Sequence, residues 1–127
     1  MALKDDYMMR MIKEAVRALI RMVSGGELSS YELPESEQDY TEEDRLYEQL
    51  ISLVNQGKIN ESENLLFDNI QMDNIFSIGM NYYLYINEFT DQELERMDYS
   101  REEIVEGMKD FTDELGIHMP SELFSVL

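Results

Sequence analysis

A single histidine, His118, is available in this chain for metal binding or proton transfer near neutral pH. Glu114 lies four residues earlier, a spacing that would place both side chains on one face of a continuous helix. Gly116 stands between them, however, and glycine commonly ends a helix. The chain has no cysteine, and we find no serine–histidine pair or repeated carboxylate–histidine pair that would suggest a catalytic or di-iron site. We therefore expect no catalytic residue, metal site or cofactor, and we predict that the protein is not an enzyme.

Binding chemistry is instead concentrated in the first 24 residues, which hold five of the ten basic residues of the chain. On a helix at about 100° per residue, four of these bases fall on one face together with Glu14 and Ser24. We call these four residues the basic stripe: Arg10, Lys13, Arg17 and Arg21. A stripe of this kind can contact phosphates, anionic lipid or the carboxylates of a protein.

The opposite side of the same predicted helix is apolar over roughly 200° of arc, wider than the stripe of about 100° that a surface helix usually needs. This width suggests that a partner covers part of the face. The residues expected to contact a second copy or another partner are Met8, Met9, Ile12, Val16, Leu19, Ile20 and Val23. Whether the helix packs on its own body or on a neighbouring subunit is left open at this stage.

Charge narrows the choice of partner. The formal net charge of the chain is −18, although residues 1–24 carry five bases and only three acids. The strongly acidic remainder repels phosphate backbones and anionic lipid, so we expect no nucleic-acid partner and disfavour membrane binding. The basic stripe also interrupts every hydrophobic run that a secretory signal would require, so we expect a cytoplasmic protein.

Helix-start and helix-stop signals divide the chain into four predicted parts. These are an amphipathic basic helix (1–24), an acidic flexible linker (25–40), a helical body (41–117) and a C-terminal segment (118–127). In the body, capping pairs at Thr41/Asp44, Asn60/Glu63, Thr90/Glu93 and Ser100/Glu103 mark helix starts, as does Asp73 alone. The tract 82–86 has high β propensity, but no second strand candidate could pair with it. We therefore predict an all-α fold, a small bundle of five to six helices.

One turn in the body has a more specific pattern. From Gly57 to Leu66 the sequence resembles the turn between the two helices of a tetratricopeptide repeat, with Ser62 at the position of the small residue. No second copy follows at the 34-residue period, and a solenoid needs about three repeats. We therefore predict a single tetratricopeptide-like helical hairpin.

Four stretches taken together resemble a known family. They are residues 6–13, the Tyr-Glu-Leu-Pro sequence at 31–34, the turn from Gly57 to Phe67, and residues 99–104 with Gly107. As a set they resemble an uncharacterised, domain-of-unknown-function family of short acidic bacterial proteins over about residues 5–117. The resemblance implies a helical, cytoplasmic bacterial protein and provides no activity, substrate or site residue.

The sequence thus leads to one main hypothesis and one alternative. The main hypothesis is a non-enzymatic interaction module that self-associates through its first helix, as a homodimer or higher symmetric oligomer. The alternative is a regulatory module that uses the same helix to bind a different protein or a membrane surface.

Overall fold

The computed structural model describes residues 2–24 and 33–118, and this part of the chain contains six α-helices and no strand. In chain order they are α1 (Ala2–Ser24), α2 (Glu42–Asn55), α3 (Ile59–Asp68), α4 (Ile75–Asn87), α5 (Asp91–Arg96) and α6 (Arg101–Glu114), with one 3₁₀ turn at Glu37–Asp39 before α2. The predicted all-α class is confirmed, and the tract 82–86 is helical as expected. Half of the predicted linker, residues 25–32, and all but the first residue of the C-terminal segment, residues 119–127, lie outside the described residues.

Helix α4 is the centre of the bundle. It packs against α1, α2 and α6, while α3 packs mainly against α2. This position explains the composition of α4, which is apolar on nearly every side because neighbours surround it. Its fully buried side chains include Ile78, Met80, Tyr82, Tyr83 and Ile86.

Two of the predicted capping boxes are confirmed with both of their hydrogen bonds. At α2 the Asp44 amide donates to Thr41 Oγ1 at 3.2 Å, and the Thr41 amide donates to Asp44 Oδ2 at 2.9 Å. At α5 the Thr90–Glu93 pair makes the same two bonds at 3.1 and 2.8 Å. Each box satisfies two backbone donors that the helix itself leaves without partners.

The remaining helix starts differ from the prediction. At α6 the Glu103 amide donates to Ser100 Oγ at 3.2 Å, but the described structure does not contain the second bond of a full capping box, from the Ser100 amide to the Glu103 carboxylate. The predicted Asn60–Glu63 cap is wrong, because α3 begins at Ile59 and Glu63 turns toward the core. The predicted Asp73 cap is also wrong: Asn74 precedes α4 in a left-handed conformation (φ 63°) that asparagine tolerates better than most residues.

Helix ends are predicted at three glycine positions; those at Gly57 and Gly116 are confirmed, and the one at Gly25-Gly26 lies outside the described residues. Gly57 follows α2 with φ 79° and Gly116 follows α6 with φ 74°, both in the left-handed region that glycine enters without a Cβ penalty. The first of these turns brings α3 back along α2 as a helical hairpin in which Ser62 is fully buried. That this hairpin is of the tetratricopeptide type stays a prediction. Since α6 ends before Gly116, His118 lies beyond the helix that carries Glu114.

Candidate interaction surface

The inner face of α1 is part of the protein's own core. Met8, Ile12, Val16 and Leu19 are at most 3% exposed, and α1 packs against both α4 and α6. On a helical wheel these four residues, with Ala15 between them, span about 100°, the ordinary width of a core-facing stripe. Four of the seven predicted partner contacts are therefore covered within the chain. Packing within the chain therefore covers the part of the apolar face that these four residues form.

The other three predicted contact residues lie at the margins of this buried face. Met9 and Ile20 are partly buried, whereas Val23, at the end of the helix, is 45% exposed. Two further apolar residues of α1 are equally accessible, Tyr7 at 47% and Met22 at 51%. Among the described residues, these three are the large hydrophobic side chains that are exposed, and all of them lie on α1.

Tyr7 and Met22 lie on the same side of α1, in a row that the exposed Glu14 interrupts between Met11 and Ala18. The spacing of Tyr7, Met11, Ala18 and Met22 keeps them within about 60° of one another on the wheel, so they form one row along the helix. At about 1.5 Å rise per residue this row is roughly 22 Å long. We call these four residues the outer strip. Its two ends are exposed and its middle, Met11 and Ala18, is partly buried.

The basic stripe runs beside the outer strip, on the solvent side of α1. Arg10, Arg17 and Arg21 are exposed, while the Lys13 ammonium pairs with Glu88 Oε2 at 3.1 Å across the α1–α4 contact. Both side chains of this pair are substantially exposed, so it contributes no more than about 1 kcal/mol. The stripe thus remains largely available to anionic groups on another molecule.

A buried polar network holds the inner side of α1. The Asn87 side-chain amide donates to the Met9 carbonyl at 2.9 Å, connecting the end of α4 to the middle of α1. Arg101, itself 5% exposed, donates to Asn87 Oδ1 at 3.1 Å and thereby orients that amide. The same guanidinium donates to the carbonyls of Asn87 and Phe89 at 2.8 and 2.6 Å, and it faces Asp91 Oδ1 at 3.2 Å.

This arrangement, the Arg101 network, was not predicted from the sequence. It satisfies carbonyls at the end of α4, which a helix leaves without internal partners, and it fixes α1 in one position with a directional bond. One signal was available: Arg101 is the first residue of α6, where the helix dipole favours an acid over a base. A basic residue in the first turn of a helix therefore suggests that its side chain binds elsewhere, and here the Arg101 guanidinium binds the end of α4.

The tyrosines of α4 do not form one binding site. Tyr82 and Tyr83 are both fully buried in the core. Tyr85 is partly buried, and its hydroxyl donates to Asn55 Oδ1 of α2 at 2.7 Å. Tyr85 therefore connects α4 with α2.

Fold and surface together define the class: a small all-α bundle whose amphipathic first helix is docked on the body and presents a basic and partly apolar outer side. No helix within the described ranges has both the length and the apolar character needed to cross a membrane. The chain belongs to a family described as "Family of unknown function (DUF6483)", which matches residues 2–116. The resemblance seen in the sequence is thereby confirmed. No curated protein and no solved structure matches the chain.

Proposed function

We propose that this protein is a non-enzymatic interaction module that self-associates through the outer side of α1. The observation that carries the proposal is that the exposed large apolar side chains of the described residues, Tyr7, Met22 and Val23, all lie on this one helix. Single exposed apolar residues are common on protein surfaces, but a row beside a charged stripe is more typical of a contact surface.

The partner that fits this surface best is a second copy of the chain. Residues 25–127 contain 25 acids and five bases, so every copy presents a strongly negative body to the basic stripe of another. Such complementarity orients two molecules and speeds their encounter more than it strengthens the complex. Burial of the outer strip supplies the main part of the binding free energy.

The proposal differs from the sequence hypothesis in which residues form the contact. Met8, Ile12, Val16 and Leu19 now stabilise the fold, and the contact moves to the outer strip and Val23, flanked by Arg10, Arg17 and Arg21. The same geometry argues against the membrane alternative, because the apolar face that would enter lipid is packed against α4 and α6.

The test is the mass of the protein in solution, measured by sedimentation velocity or light scattering across the micromolar range. We expect a concentration-dependent dimer or larger symmetric oligomer. Replacing Tyr7 and Met22 with glutamate introduces two charges into the contact and should weaken association at least about tenfold. The control replaces Gln71 and Gln92, both exposed, with glutamate, which adds the same charge elsewhere on the surface.

Two outcomes would contradict the proposal. One is a monomer at every concentration, and the other is equal weakening by the outer-strip variant and the control. If the monomeric protein instead binds a different protein, and Tyr7→Glu abolishes that binding, the alternative of a regulatory module replaces the main proposal.

A further inference from the structure

A second feature of the structure, independent of the outer side of α1, is a carboxylate inside the body. Glu63 of α3 points toward α4 and α6, and its two oxygens accept one hydrogen bond each. Tyr83 Oη donates to Oε2 and Tyr99 Oη donates to Oε1, both at 2.8 Å. Since Tyr83 belongs to α4 and Tyr99 lies in the turn before α6, two residues from its start, one carboxylate connects three parts of the bundle.

Gly107 makes the room for this carboxylate. A Cβ atom at this position of α6 would meet Glu63 Oε2 and would lie 2.9 Å from Tyr83 Oη. The absence of a side chain on α6 is therefore what allows the Glu63 carboxylate and the Tyr83 hydroxyl to meet at this point. The arrangement is built from residues 20 and 36 positions apart in sequence.

The charges around Glu63 favour its neutral form. Within the described part of the chain no basic side chain forms an ion pair with it. Burial raises the pKa of Glu63, the hydrogen bonds from Tyr99 and Tyr83 lower it in part, and the acids Glu103 and Asp110 of α6 raise it further. Burial also raises the pKa of Tyr83, Tyr99 and Tyr82 far above the ordinary value, so the hydroxyls of the cluster remain protonated donors at neutral pH.

The cluster can satisfy its hydrogen-bonding groups in either protonation state. When Glu63 is ionised, both tyrosines donate to it. When Glu63 is protonated, its own O–H can donate to Tyr99 Oη, because Tyr99 has a second acceptor in the Glu103 carbonyl at 3.3 Å. Protonation thus removes a buried charge without leaving a buried donor or acceptor unsatisfied.

We propose that the cluster of Glu63, Tyr83 and Tyr99 is a pH-sensitive link that joins α3 more firmly to α4 and α6 when the solution becomes mildly acidic. The direction follows from proton linkage. A carboxyl whose pKa is higher in the folded than in the unfolded protein stabilises the fold below the unfolded pKa, and this contribution is lost as pH rises through the folded pKa. Acidification from neutral pH should therefore increase stability through this residue.

The direct test is a titration of the intact protein followed by ¹³C NMR of the glutamate carboxyl carbons. We expect the Glu63 signal to titrate with a midpoint clearly above the ordinary glutamate value of about 4.3. A midpoint at or below that value would overturn the proposal. The titration itself uses the wild-type protein, and a variant is needed only to assign the Glu63 signal.

A second test isolates the effect of Glu63 on stability. The many surface acids of a chain with net charge −18 also repel one another less at low pH, so the wild-type profile alone does not isolate one residue. The urea midpoint of wild type, Glu63→Gln and Glu61→Gln should be compared from about pH 4.5 to about pH 8. Glu61 is exposed on the same helix, so its variant matches the change of charge.

We expect the wild type and Glu61→Gln to lose stability in parallel as pH rises, while Glu63→Gln loses less. Parallel profiles for all three proteins would overturn the proposal. If Glu63→Gln does not fold, Tyr99→Phe takes its place: loss of one donor to the carboxylate should move the Glu63 titration midpoint upward, and an unchanged midpoint would contradict the cluster.

Discussion

Replacement of Leu19 with alanine tests whether the inner face of α1 belongs to the core of a single chain. Leu19 is fully buried in the contact of α1 with α4 and α6. Removal of a buried leucine side chain to alanine typically costs about 2–5 kcal/mol, the lost transfer free energy plus a cavity contribution. Leucine and alanine differ little in helix propensity, so the cost reports packing.

The size of this loss is large enough to measure without ambiguity. A domain of this kind has a free energy of unfolding of about 5–15 kcal/mol. A loss of about 3 kcal/mol, at a urea slope of about 1.5 kcal/mol per molar, lowers the unfolding midpoint by about 2 M. Gln49→Ala is the control, because Gln49 is exposed in the middle of another helix, α2, and lies outside the proposed contact. It should cost less than about 1 kcal/mol.

The assay is urea unfolding followed by circular dichroism at two protein concentrations that differ about tenfold. Packing within one chain predicts the same Leu19→Ala loss at both concentrations, because Leu19 is fully buried and lies outside the surface through which association is proposed. A loss below about 1 kcal/mol, or one that disappears on dilution, would refute the assignment. The inner face of α1 would then be a contact between molecules.

Two further substitutions probe the parts that hold α1 and the core. Arg101→Gln removes the guanidinium from the carbonyls of Asn87 and Phe89 and should cost about 3 kcal/mol or more in urea unfolding, whereas Lys13→Gln, which breaks an exposed ion pair, should cost less than about 1 kcal/mol. Equal losses would contradict a structural role for the buried network. Gly79→Ala places a Cβ against the ring of Phe111, and the overpacking cost of about 1–3 kcal/mol exceeds the gain in helix propensity of up to about 1 kcal/mol. A higher thermal midpoint for Gly79→Ala than for the wild type would contradict this expectation, because it would mean that the Phe111 ring shifts at little cost.

The parts of the fold that the sequence predicted well depend on bonds between near neighbours in the chain. The caps at Thr41 and Thr90 need only a hydroxyl and a carboxylate three residues apart, and the helix ends at Gly57 and Gly116 need only a missing Cβ. Where no distant residue competes for these side chains, the local pattern is sufficient to predict the interaction.

Predictions failed where a distant residue competes for the same side chain. Glu63 has the spacing of a capping residue after Asn60, yet its carboxylate binds Tyr83 and Tyr99 instead. Sequence spacing shows that a cap can form, but it does not show that distant side chains offer the same carboxylate other hydrogen bonds. The missing side chain at Gly107, 44 positions later in the sequence, leaves the space in which the Glu63 carboxylate meets the Tyr83 hydroxyl.

The share of the α1 apolar face that needs a partner was overestimated for a related physical reason. The usual stripe width describes a helix resting on a body, but α1 contacts two helices, α4 and α6, and residues at the margins such as Met9 and Ile20 are also partly buried. A helical wheel gives the width of an apolar face and does not give the number of neighbours that cover it. The proposal of a partner therefore rests on the exposed side chains at the two ends of the outer strip, Tyr7 and Met22.

Helix α4 contributes to both the Glu63 cluster and the packing of α1, but through different residues. Tyr83 extends from it to the Glu63 carboxylate, and Asn87, one turn later, extends to the Met9 carbonyl of α1. Substitution of Glu63 thus acts on the junction of α3, α4 and α6 and leaves the exposed residues of α1 unchanged. Failure of the pH proposal would say nothing against self-association, and a monomeric protein could still contain the pH-sensitive link. Because different residues carry the two proposals, each experiment tests only its own.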